Sequence, residues 1–79
     1  MTDFPVYRRY RGLDVWFKIL SDEEFIEVKR VGKKWQVSTI TAKVYPEFVL
    51  IADMISNSEG RWEPAEADRV EEIIRNLMP

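Results

Sequence analysis

Three apolar-rich runs, separated by loops of only a few residues, constrain the fold of this 79-residue chain more than any other feature. The runs span residues 14–20, 25–31 and 35–41. They are rich in β-branched and aromatic side chains, which favour strands, and they are joined through residues 21–24 and 32–33. Because loops this short connect neighbouring antiparallel strands, residues 13–42 predict a three-stranded antiparallel meander.

Loop length also predicts how these strands pair. A two-residue loop at Gly32 and Lys33 suits a type II′ turn, because glycine takes a positive φ without a steric clash. That loop places Val28 opposite Val37, and a four-residue loop over 21–24 places Phe17 opposite Val28. One face of the sheet then carries Val15, Phe17, Ile19, Ile26, Val28, Trp35 and Val37, and the other carries Trp16, Lys18, Glu27, Lys29, Gln36 and Ser38.

A helix over residues 22–31 is the main alternative. Ser21 followed by Glu24 fits a capping box, and Gly32 fits the residue after a helix C-terminus. The apolar residues of this segment would then cover a wide arc and not a narrow stripe, so the pattern favours the strand.

The segments on either side of the meander predict one more strand and two helices. Residues 1–12 form an N-terminal arm or a fourth strand at the sheet edge. Pro46 and Pro64 suit the first turns of helices over 46–56 and 64–77, and Phe48, Ile51, Ala52 and Ile55 have helical spacing in the first of them. A fourth strand over 47–52 is the weaker alternative. Val49, Leu50 and Met54 make this helix apolar on its other flanks, so it is either buried on two sides or contacts a partner.

These elements predict an α+β fold in which residues 1–79 make a single small domain. An antiparallel sheet with one apolar face requires a cover, and we expect both C-terminal helices to pack on that face. The opposite face is polar at its centre but apolar at its ends, where Trp16, Leu20, Phe25 and Ile40 lie. An apolar patch on a solvated face predicts a contact. The first candidate is the chain's own N-terminal arm through Phe4, Val6 or Tyr10, the second is another copy of the protein, and the third is a different molecule.

Composition narrows the classes of function. The chain has no cysteine and no histidine, which removes the thiolate nucleophile and the commonest general base and metal ligand. We therefore expect a non-enzymatic protein with no cofactor and no metal site. An enzyme is the least favoured class: carboxylates such as Asp14, Glu27 or Asp53 could act as an acid–base pair, but nothing in their spacing shows that they converge. The N-terminus has no secretion pattern and no apolar run reaches membrane-spanning length, so we expect a cytoplasmic protein without a membrane contact.

The predicted function is that of a small interaction or accessory domain, which binds another protein or a second copy of itself. The alternative is a module for single-stranded nucleic acid or RNA, because arginine and tyrosine side chains contact phosphates and stack on unpaired bases. No small-molecule ligand is implied. The candidate binding surface comprises Tyr7, Arg8, Arg9, Tyr10, Arg11, Trp16, Lys18, Leu20, Phe25, Lys29 and Ile40.

Overall fold

A computed structural model describes residues 3–77, which fold into a five-stranded antiparallel sheet and two helices. The predicted α+β class is confirmed. The strands lie in the order β4-β3-β2-β1-β5 across the sheet. The elements are β1 (Val6–Tyr10), β2 (Val15–Ile19), β3 (Glu24–Val31), β4 (Lys34–Thr41), α1 (Tyr45–Ser56), β5 (Trp62–Pro64) and α2 (Ala67–Leu77).

The β3–β4 hairpin has the predicted register. Val31 pairs with Lys34, and Val28 pairs with Val37. Gly32 has a φ of 63°, which is the conformation that the first residue of this loop requires. Because residues 24–31 form a strand, the alternative helix over 22–31 is wrong.

The predicted β2–β3 register is wrong by one residue. Trp16 pairs with Val28, and Phe17 pairs with Glu27. The cause lies in the connecting loop, where the N–H of Leu20 donates to the carbonyl of Glu24 at 2.9 Å. Leu20 and Glu24 therefore extend the ladder, and the connection shortens to three residues. The Ser21 hydroxyl oxygen stabilises this tighter turn by accepting a hydrogen bond from the Glu23 N–H.

The shift of register makes both faces of the sheet apolar. Phe17, Ile19 and Phe25 cluster with Ile51 and Met54 of α1, on what we call the α1 face. The α2 face lies on the opposite side, where a second cluster contains Trp16, Ile26, Val28, Val70 and Ile73. The prediction that both helices pack on one face is therefore wrong, because each face has its own apolar residues and needs its own cover.

The N-terminal segment and the start of the second predicted helix also differ from the sequence-based assignment. β1 is a strand, but it lies inside the sheet between β2 and β5 and not at an edge. β5 occupies the predicted start of the helix over 64–77, so α2 begins only at Ala67. The predicted helix over 46–56 matches α1 closely, and Asn57 ends it in the left-handed conformation with a φ of 50°.

Adjacent side chains of β2 provide a test of this two-sided core. Trp16 is 8% exposed and Phe17 is 6% exposed, on opposite faces. We expect Trp16→Ala and Phe17→Ala each to lower the free energy of unfolding by about 3–5 kcal/mol in urea denaturation. Val31→Ala is the control, because Val31 is 54% exposed, and a surface change of this kind is worth about 0.5 kcal/mol or less. If Phe17→Ala greatly lowered the free energy of unfolding and Trp16→Ala did not, α2 would not cover the face on which Trp16 lies.

Candidate interaction surface

The structure separates the predicted binding residues into two groups on opposite sides of the sheet. The register places Tyr7, Arg9, Trp16, Lys18 and Leu20 on the α2 face, and Arg8, Tyr10, Phe25, Lys29 and Ile40 on the α1 face. Arg11 follows the end of β1. Trp16 and Phe25 are buried, and Leu20 and Ile40 pack against the two core clusters. The open sheet face that was predicted as a contact surface is therefore covered by a helix.

Arg8 holds the end of helix α1. Its Nε donates to the carbonyl of Met54 at 2.9 Å, and its Nη2 donates to the carbonyl of Ile55 at 3.1 Å. The last carbonyls of a helix lack partners within the helix and carry partial negative charge. A guanidinium from β1 therefore both satisfies these groups and fastens α1 to the sheet.

The other two arginines of the N-terminal segment join β1 to its surroundings. Arg9 pairs with Glu63 at 3.0 Å, and its guanidinium lies 5.5 Å from the ring centroid of Trp16. Arg11 donates to the carbonyl of Gly60 at 3.1 Å and lies 3.7 Å from Glu63. Both guanidinium groups therefore already contact carboxylate or carbonyl groups of this chain, although the Arg11 side chain is 60% exposed.

A polar cluster fastens helix α2 to the opposite face. Lys18 Nζ lies 2.7 Å from Glu71 Oε1 of α2. Tyr7 is nearby, and partial burial, followed by the negative charge of Glu71, raises the pKa of its hydroxyl above the ordinary value. A raised pKa keeps the phenol in its protonated form at neutral pH. The ion pair of Lys18 with Glu71 joins β2 to α2 in this cluster.

Several exposed large apolar side chains lie on helix α1 or directly before it. Tyr45 is 79% exposed, and Phe48 and Leu50 are each 39% exposed. Val44, directly before the helix, is 55% exposed. The inner side is fully buried through Ile51 and Met54. We refer to Val44, Tyr45, Phe48 and Val49 as the α1 patch.

The α1 patch was only partly indicated by the sequence. The apolar flanks of the helix were noted through Val49, Leu50 and Met54, but Met54 is buried and Phe48, which was assigned to the core, is partly exposed. Tyr45 was missed because it precedes Pro46, where the helix was expected to begin. The available signal was the spacing of Tyr45, Phe48, Val49 and Ala52 at i, i+3, i+4 and i+7.

Hydrogen bonds hold both ends of α1 in place. At the start, Glu47 Oε1 accepts hydrogen bonds from the backbone N–H groups of Lys43 and Val44, at 2.9 and 3.2 Å. At the end, the side-chain amide of Asn57 donates to the carbonyl of Trp62 at 2.7 Å and accepts from its N–H at 3.1 Å. The α1 patch is thus displayed on a helix that is fixed at both termini.

The three carboxylates considered for acid–base chemistry lie in different parts of the fold. Asp14 pairs with Arg9, and Glu27 and Asp53 lie on β3 and α1 respectively. Among residues 3–77, no three acidic side chains are grouped so as to hold a metal ion. A shallow pocket of about 160 Å³ lies between Trp35 and the side of α2, next to Ile73 and Leu77. Neither helix in the described part of the chain is long and apolar enough to cross a membrane.

No family model matches the chain, and no similar protein is found among curated proteins or solved structures.

Substitution of Arg8 tests its role at the end of α1. We expect Arg8→Ala to lower the free energy of unfolding by about 2–3 kcal/mol, because hydrogen bonds from a charged donor to partly buried carbonyls are lost. Arg11→Ala should cost less than about 1 kcal/mol, since its side chain is 60% exposed and solvent screens its interactions. Chemical denaturation of both variants measures the two free energies of unfolding. Equal losses of stability would contradict the role of Arg8 at the end of α1.

Proposed function

We propose that this chain is a small non-enzymatic interaction domain that inserts the α1 patch into an apolar groove on another protein. The observation that carries the proposal is the exposure of Tyr45, at 79%, beside Phe48, which is 39% exposed, on a helix that is hydrogen-bonded at both ends. Burial of one large apolar side chain stabilises an association by about 1.5–3 kcal/mol. A patch of several such side chains therefore favours contact with a second apolar surface.

The geometry of the patch favours a groove as the partner surface. Tyr45, Phe48, Val49 and Ala52 follow the i, i+3, i+4, i+7 spacing of helices that bind in grooves. The side chain of Tyr45 has the highest exposed fraction of the patch, at 79%, and tyrosine is common among residues that dominate binding energy. Because the helix is already folded and fastened at both ends, binding requires little additional ordering of this chain.

Nucleic-acid binding is the weaker candidate. This hypothesis depends on the cationic side chains of the N-terminal segment. Arg8, Arg9 and Arg11 each contact carbonyls or carboxylates of this same chain. Contact with phosphates would require these interactions to be replaced. The formal net charge of −2 also disfavours association with a polyanion.

Paired serine substitutions test the proposal. Immobilised wild-type chain and the variant Tyr45→Ser/Phe48→Ser would be compared for proteins retained from an extract of the source cells. We expect a partner that is retained by the wild type and reduced about tenfold or more by this variant, because two anchoring side chains are lost. Circular dichroism establishes that the variant is folded.

The control removes two exposed apolar side chains from a different part of the surface. Phe4 is 40% exposed and Leu13 is 51% exposed, so Phe4→Ser/Leu13→Ser removes the same number of exposed large apolar side chains. Retention of the partner by this control supports the α1 patch as the contact site. The proposal is wrong if no protein is retained specifically, or if both double variants lose the partner to the same extent.

A further inference from the structure

The two edges of the sheet are protected to very different degrees. The β5 edge is three residues long and contains Pro64, which lacks an N–H group to offer to another strand. The β4 edge is eight residues long and contains neither proline nor glycine. An outer strand leaves half of its N–H and C=O groups without partners inside the sheet. In the sheet formed by residues 3–77, β4 is therefore the edge that is open to a further strand.

The side chains of β4 also lack the usual protection against strand addition. Natural edge strands often carry central charges, which prevent pairing with other chains. The charge of β4 is confined to Lys34 at its start, and residues 35–41 are uncharged. Trp35 and Val37 are only half-buried and belong to the cluster under α2, so the apolar layer of that face continues to the open edge.

The charges at the two ends of the β3–β4 hairpin have opposite signs. The turn end carries exposed Arg30, Lys33 and Lys34, and the other end carries the acidic residues 22–24. The acidic end lies directly beside the end of β4, because Glu24 Oε2 accepts a hydrogen bond from the Thr41 hydroxyl at 3.1 Å. When two such hairpins lie antiparallel, the basic end of each is next to the acidic end of the other. When they lie parallel, ends of like charge are next to each other.

We propose that two copies of this chain pair antiparallel through β4, about a twofold axis near Val37 and Ser38, to form one sheet that is continuous across both copies. The pairing satisfies the outward-facing backbone groups of both edges and makes two oppositely charged contacts. It also extends the Trp35–Val37 layer across the junction, beneath the two α2 helices. The contact is separate from the α1 patch, so it does not depend on the proposed function.

Sedimentation equilibrium of the full chain tests for the dimer. We expect a mass that rises with concentration towards twice the 9.4 kDa of one chain. The variant Tyr45→Ser/Phe48→Ser should dimerise like the wild type, because α1 does not take part. A chain that remains a monomer up to about 1 mM, or a dimer that is lost only when the α1 patch is changed, would overturn the proposal.

Charge reversal at the two ends identifies the interface. Lys33→Glu/Lys34→Glu makes both ends acidic, and Asp22→Lys/Glu23→Lys makes both ends basic. All four residues are exposed, so folding should be preserved, and thermal melting checks that it is. We expect each variant alone to dimerise about tenfold or more weakly than the wild type, because like charges now meet.

Mixing the two variants provides the decisive result. One acidic and one basic copy again place opposite charges at both contacts, so an equimolar mixture should regain the mass of a dimer. Arg61→Glu/Arg75→Glu is the matched control, since it changes the net charge equally at exposed positions outside β3 and β4, and it should dimerise like the wild type. Failure of the mixture to associate, or an equal loss in the control, would show that the charged ends of the hairpin do not meet.

Discussion

The structure depends on the pairing of β2 with β3. This register aligns Trp16 with Val28 and Ile19 with Phe25, so that both faces of the central strands are apolar. A sheet with two apolar faces must be covered twice. Residues 3–77 contain two helices, and one lies on each side. The opposite placement of α1 and α2 is thus a consequence of hydrogen-bond register and not of any property of the helices alone.

A single cover on each face explains how polar side chains are used in this protein. Because each face is covered by one helix, each helix must be attached to the sheet separately. The N-terminal strand β1 contributes contacts to both helices. Arg8 reaches the end of α1 on one face, while Tyr7 and the neighbouring Lys18 lie against Glu71 of α2 on the other. The alternation of side chains along a strand makes this possible, because adjacent residues point to opposite faces. The basic and aromatic N-terminal segment is therefore explained by the fold itself.

The same arrangement leaves α1 with more apolar surface than one sheet face can bury. A helix on the outside of a layered fold needs a single apolar stripe, and Ile51 and Met54 provide it. Tyr45 and Phe48 lie outside this stripe and remain in contact with solvent. This excess distinguishes α1 from α2, whose outer side carries charged residues such as Glu72 and Arg75. The proposed interaction function rests on this difference between two helices of similar length.

Local chemistry determined which parts of the fold could be predicted from the sequence. The β3–β4 hairpin and the end of α1 were predictable, because Gly32 and Asn57 favour the positive φ that each position requires. The β2–β3 register was not, since loop length does not show whether Leu20 and Glu24 join the ladder. β5 is too short for a periodic signal, and its pairing with β1 joins segments far apart in sequence. The error in register then misplaced the predicted binding surface, because a shift of one residue exchanges the faces.

The most direct test of this account is a nuclear Overhauser spectrum of the isotopically labelled chain, which reports the neighbours of two adjacent side chains. The account predicts backbone contacts between Trp16 and Val28, contacts from the Trp16 indole to methyl groups of α2, and contacts from the Phe17 ring to side chains of α1. Backbone contacts between Phe17 and Val28, together with contacts from one of these two aromatic rings to side chains of both helices, would contradict it.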